Sequence, residues 1–181
     1  MLEFIPFKTE TDYDEFSQLA FNPQVMEMNF GRVFTPQEAQ GFFQGMLSMN
    51  QSQTRLPGYC KVLLHKDEDL GGETALSQNN EPRFIGMCGM NWNEEYSAVE
   101  IEYMLLPQFW HQGLGKAVVG KMMDLLEALP ADKNGETPKR VIAITDPGNL
   151  ASEKILEYYG FVCQKTYTVE DGSMARLYLY T

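Results

Sequence analysis

The chain has 181 residues, a formal charge of −11 and a pI near 4.6. That length suits one domain spanning 1–181, able to bury roughly 70% of the surface its unfolded form would expose. The acidity argues against nucleic acid as a partner, because phosphate contacts need clustered Lys and Arg, and makes cationic substrates such as amines the easier match.

Three scattered cysteines (Cys60, Cys88, Cys163), no CxxC pair and only two histidines (His65, His111) point to a reducing cytosol and away from structural zinc, so no metal site is expected. The opening MLEFIPFKTETDYDEF is acidic and alternating, unlike an export leader, and no run approaches the ~18 apolar residues of a membrane span. A cytoplasmic protein with no membrane partner is expected.

In chain order, LEFIPFK alternates as a first strand and DYDEFSQLA (12–20) has the spacing of a short amphipathic helix, with a break at Asn22 and Pro23. Thr35, Pro36 and Glu38 spell a helix opening, with Thr as N-cap, Pro first and Glu third, for a helix running to about Asn50. YCKVLL (59–64) is a strand, and the polar, glycine-bearing DEDLGGETALSQNNEP after it reads as a hairpin tip. RFIGMCGMNWN and SAVEIEYMLLP form a hairpin about an acidic turn at 93–96.

A helix follows over 113–129, ended by Pro130; the linker ADKNGETPK then leads to RVIAIT, a continuous apolar strand. Residues 149–159 read as a helix closed by Gly160 in the left-handed conformation. FVCQKTYTV and ARLYLYT end the chain as a second hairpin about EDGS. The order is mixed α/β with antiparallel pairs at both sides rather than strict βαβ alternation.

Chemistry gathers first at PQFWHQGLGKAVVGKMM (107–123). Glycines opening a helix leave its first amides aimed along the axis, where the macrodipole favours negative charge, and Gly113 and Gly115 would let a diphosphate approach the backbone. Lys116 would add countercharge. The Walker A loop fails, since Gly115 and Lys116 are followed by Ala117 and the residue five before Gly115 is Trp110. The Rossmann fingerprint fails too, because GLGKAVVG is spaced G-x-G-x-x-x-x-G.

The run from Glu100, EIEYMLLPQFWHQGLGKAVVGKMM, resembles motif A of the GNAT superfamily of N-acetyltransferases, and DPGNLASEKILEYYGF, whose Asn149 lies 36 residues after Gly113, resembles its motif B. The Pro-x-x-Trp lead-in and the N-x-x-S pattern resemble the branch holding the ribosomal-protein alanine N-acetyltransferases. The resemblance implies a mixed, mostly antiparallel seven-stranded sheet flanked by helices, whose central strands splay apart to admit acetyl-CoA. It places the main chain of Tyr103, Met104 and Leu105 along the pantetheine arm. His111, Gln112, Gly113, Leu114, Gly115, Lys116 and Ala117 fall on the pyrophosphate loop, and Asn149 near the thioester.

Transfer to an amine needs a neutral nitrogen, a stabilised thioester oxygen and a proton for the departing thiolate. Deprotonating a lysine-like amine at neutral pH costs roughly 4 kcal/mol, and an α-amino group about 1. Glu100 and Glu102 alternate onto one strand face as candidate bases, or form merely its polar face; glycine is usual at position 102 in this branch. The family's frequent glutamate and tyrosine fall on Ile144 and Leu156, so Ser152 is the nearest hydroxyl able to protonate the sulfur.

Tyr158 and Tyr159 read first as packed core, Asp146 as a turn residue, and Cys88 as buried rather than nucleophilic. Phe30, Phe34 and Tyr167 either line an acceptor pocket or pack in the core. The expectation is an acetyl-CoA-dependent acetyltransferase acting on an amine acceptor, monomeric or homodimeric. Its rival is a non-catalytic acyl-CoA-binding module.

Overall fold

A computed structural model of the chain describes residues 1–52, 55–65, 81–130, 140–170 and 172–181. The expected hairpin tip over 67–82 and the linker over 131–139 lie outside these, apart from Glu81 and Pro82, as does Asp171 of the final turn.

Strand β1 (Leu2–Pro6) leads into helices α1 (Tyr13–Ala20), α2 (Pro23–Phe30) and α3 (Pro36–Ser52). The break at Asn22 and Pro23 is a junction between two helices: Asn22 caps α2 by accepting the Val25 N–H at 3.3 Å, and Pro23 needs no donor at the first position. Gly31, at φ 71°, ends α2 in the left-handed region. The opening of α3 forms as its residues predict, with Glu38 accepting the Thr35 N–H at 2.8 Å while Thr35 Oγ1 accepts the Glu38 N–H at 3.3 Å.

Next come β2 (Gly58–Leu64), β3 (Arg83–Asn93), β4 (Ala98–Leu105), α4 (Leu114–Glu127), β5 (Val141–Thr145), α5 (Leu150–Tyr158), β6 (Val162–Thr168) and β7 (Met174–Tyr180). The β3–β4 turn lies over residues 94–97, one later than its composition suggests, because Asn93 uses its side-chain oxygen to accept the Tyr96 N–H at 3.1 Å.

The seven strands form one sheet in the order β1-β2-β3-β4-β5-β7-β6, antiparallel throughout except for β4 beside β5. The main core joins Phe7, Phe16 and Phe43 of the first elements to the buried face of α4, Val118, Val119, Met122, Met123 and Leu126. Those α4 positions recur at helical spacing, so one stripe is apolar. Strand β5 is apolar on both faces: Val141 and Ala143 join the main core, while Ile142 packs with Ala98 and Leu177 in a smaller cluster.

One side chain stitches α3 to the sheet. Asn50 donates through Nδ2 to the carbonyls of Phe7 and Tyr59 at 2.9 and 2.8 Å, and accepts the Tyr59 N–H at 2.7 Å.

Candidate active site

The parallel pair β4–β5 is short. Only Val99 with Val141 and Glu100 with Ile142 are in register; beyond them the strands part. A cleft of about 430 Å³ opens at the fork, lined by Glu100, Glu102, Tyr103 and Met104 of β4, by residues 143–145 of β5 and by Asn149 and Ser152 at the start of α5. Residues 28–31 and Phe42 wall one side, and Val169 with residues 173–175 the other.

Strand alternation sends Glu100 and Glu102 to the same face, and both line the cleft. Glu100 accepts from Asn93 Nδ2 at 2.7 Å, and burial raises its carboxyl above the ordinary value. Glu102 is pushed further, to about 7, chiefly by burial and then by the Glu100 charge; the Tyr59 hydroxyl, donating at 3.3 Å, opposes the shift. The two carboxylates are thus unequal: the one with a value near neutrality can exchange a proton with substrate at physiological pH.

Across the fork, Ser152 Oγ and the Tyr103 hydroxyl are hydrogen-bonded at 2.8 Å. Burial raises the Tyr103 phenol to about 12 despite that bond, so it stays protonated and can serve as a donor. Asn149 caps α5 by accepting the Ser152 N–H at 3.1 Å, which fixes the turn carrying Ser152, and both residues line the cleft.

The glycine loop lies past the end of β4. His111 and Gly113 have φ of 58° and 76°, and a Cβ at Gly113 would meet nothing within 4 Å, so backbone conformation rather than crowding calls for glycine there. A Cβ at Gly115 would lie 3.1 Å from Ile155 Cδ1, so that glycine lets α4 pack close to α5. The first turn of α4 closes with the Ala117 N–H donating to Gly113 O at 3.0 Å. The amides of Leu114, Gly115 and Lys116 therefore lead the helix with no carbonyl one turn back.

Lys116 holds its ammonium 3.2 Å from the centre of the Tyr158 ring, and its carbonyl accepts the Tyr159 hydroxyl at 2.9 Å. Gln112 donates back to Gln108 O at 2.7 Å, and Leu105 O accepts the Trp110 indole N–H at 2.8 Å, tying the loop to the end of β4. Exposed amides, a side-chain-free approach and a nearby cation fit a diphosphate.

The sequence matches a family model described as "Acetyltransferase (GNAT) domain" over residues 2–162. The chain belongs to the GNAT acetyltransferase family. Solved structures repeat the fold of this acetyltransferase at low identity. A putative GNAT-family acetyltransferase from Bordetella pertussis aligns at TM-score 0.69 and 14% identity, covering 99% of this chain and 95% of that one. An aminoglycoside acetyltransferase in complex with coenzyme A aligns at 0.68 and 18%, covering 100% and 95%. A ribosomal L7/L12 alpha-N-protein acetyltransferase in complex with coenzyme A aligns at 0.67 and 16%, covering 98% and 92%.

Of the residues anticipated from sequence, the fork brings together Glu100, Glu102, Tyr103, Met104, Asn149 and Ser152; Leu105 and the loop from His111 to Ala117 lie outside the cleft lining. Phe30 lines the cleft. Phe34 packs behind it, 4.8 Å between ring centres, and Tyr167 joins the small cluster around Ala98 and Ile142 instead. Tyr158 is not core but 64% exposed, because it lies over Lys116 at the surface. Asp146 is the expected turn residue, accepting the Gly148 N–H at 2.5 Å, and Cys88 is fully buried.

The Tyr103 and Tyr59 hydroxyls were not singled out from sequence. The contact partners lie 49 and 43 positions away, on different elements, and only the hydroxyls' presence on strands was visible.

Proposed function

We propose that this acetyltransferase moves an acetyl group from acetyl-CoA to a primary amine by direct attack in a ternary complex. Acetyl-CoA supplies the activated thioester. The residues that fit it are the main chain of Tyr103, Met104 and Leu105, the loop from His111 to Ala117, and the Asn149 side chain. Glu102 accepts a proton from the incoming ammonium; Glu100 raises its basicity and draws the cation in. Ser152, hydrogen-bonded to Tyr103, donates to the departing sulfur, and the second proton shed by the newly acetylated nitrogen returns to Ser152 through the Tyr103 hydroxyl, which ends protonated as it began.

The observation carrying this reading is the Glu102 carboxyl, raised to about 7 and placed at the fork between β4 and β5. The test is thiol release from acetyl-CoA over a panel of amines and N-terminal peptides, with Glu102→Gln and Ser152→Ala beside the parent. Turnover lost in Glu102→Gln with coenzyme A binding intact supports it.

A second reading, a non-catalytic acyl-CoA-binding module, is favoured by Ile144 and by the wholly buried Leu156 where relatives carry an acid and a tyrosine. Coenzyme A binding without turnover on any acceptor would establish the module. The absence of any thermal shift with coenzyme A would overturn both.

A further inference from the structure

The acceptor side of the cleft combines an acidic floor with an apolar lip. Among the described residues its lining holds three carboxylates, Glu100, Glu102 and Asp146, and no Lys, Arg or His. Around its mouth Met28, Phe30, Val169 and Met174 are 38%, 40%, 37% and 45% exposed. Single exposed apolar side chains are ordinary on a protein surface. These four come from α2, β7 and the connection between β6 and β7, and converge on one cleft. Phe30 is also firmly based, its ring 4.8 Å from Phe34 and 5.6 Å from Phe42.

We propose, resting on the acetyltransferase reading above, that the acceptor is a cationic primary amine carried on an apolar body, with no carboxylate or phosphate beside the amine. The ammonium is drawn between Glu100 and Glu102, and the apolar body covers the lip formed by Phe30, Met28 and Met174, removing that surface from water. An anionic group next to the amine would meet carboxylates and neutral polar side chains, with no cation among the described residues of the lining to balance it. A polar polycation would satisfy the floor yet leave the lip wet, so charge alone does not define the substrate.

Two amines present this chemistry from different sources: 2-phenylethylamine as a small molecule, and a peptide amide beginning Met-Leu as a protein N-terminus. Phenylalanine adds a carboxylate to the first, and spermidine offers charge without an apolar body. With saturating acetyl-CoA, kcat/KM for the better of the first two should exceed those for phenylalanine and spermidine by on the order of a hundredfold.

Phe30→Ala and Met174→Gln should each shrink that ratio by on the order of tenfold. The second leaves the aromatic cluster of α2 and α3 untouched, so its effect does not depend on that packing. Phenylalanine or spermidine turned over as well as the apolar amines, or a ratio unmoved by both substitutions, overturns the proposal while acetyl transfer stands. No transfer to any of the four amines overturns the substrate assignment, and no transfer over the wider panel of amines and N-terminal peptides overturns the acetyltransferase reading with it.

Discussion

Replacing Glu102 by Gln should make the protein more stable and less active at once, with the stability gain confined to a defined pH window. The Glu102 carboxyl is raised from an ordinary 4.5 to about 7 in the folded chain. Between those values the native state binds more protons than the unfolded state, so this residue lowers stability as pH rises from 4.5 to 7 and leaves it low above 7.

A shift of that size corresponds to about 3 kcal/mol at pH 8, against under about 1 kcal/mol at pH 5. Gln keeps the shape and can still accept from Tyr59 but never carries the charge. Thermal unfolding should therefore show a Glu102→Gln Tm gain over the parent that is larger at pH 8 than at pH 5 by about 5 °C or more. In parallel, kcat should fall by on the order of 10² to 10⁴ with coenzyme A affinity kept. In the parent, the acidic limb of kcat/KM should rise with an apparent value near 7. Equal Tm changes at both pH values, or activity unchanged in the variant, would refute the assignment of Glu102 as a charged base held at a cost.

The remaining predictions concern the fork's opposite wall and its supports. Ser152→Ala and Tyr103→Phe should each lower kcat by on the order of tenfold or more, and the double variant should be little worse than either, since one hydrogen-bonded pair is broken in all three; additive losses in single-turnover rates would separate the two residues. Asn50→Ala takes this partner from the Phe7 carbonyl and the Tyr59 N–H, while the Tyr59 carbonyl still accepts the Phe7 N–H at 3.0 Å, and should cost roughly 2 to 4 kcal/mol, read by urea unfolding. Gly113→Ala, at positive φ with open space around the added methyl, should cost about 1 kcal/mol of stability and no more, with the coenzyme A dissociation constant measured alongside by calorimetry. Trp110→Phe removes the indole bond to Leu105 O and should weaken coenzyme A binding through the loosened loop while sparing the pH profile of turnover.

Local signals explain how much of this architecture was legible. Helix α3 announced itself through Thr35 and Glu38 because a capping box is a contact between near neighbours, and α4 through the stripe from Val118 to Leu126. The fork was anticipated only through family resemblance: the residues of β4 and β5 do not by themselves say where parallel pairing stops. Strand alternation places two carboxylates on one face, yet that Glu102 titrates near neutrality depends chiefly on burial and then on the Glu100 charge, with Tyr59 opposing, and neither the burial nor the Tyr59 contact is a property of nearby sequence. The places of Tyr167 and Tyr158 depend on distant partners in the same way: of its two readings Tyr167 takes the packed one, and Tyr158, expected in the core, is exposed. One is drawn into the small cluster about Ile142, and the other is held outside by a lysine of a different helix.

The parting of β4 from β5 also bears on association between molecules. A strand with unpaired main-chain groups usually sits at a sheet's border, where another chain can pair with it and start aggregation. Here the unpaired flank of β4 lies in the middle of a seven-stranded sheet, behind helices and flanked by β5. It lines a cleft of about 430 Å³ inside the sheet rather than the sheet's outer border. The fold thereby keeps a backbone surface ready for recognition without the hazard of an exposed border, and a molecule filling the gap would also bridge two half-sheets that the chain itself joins at only two residue pairs.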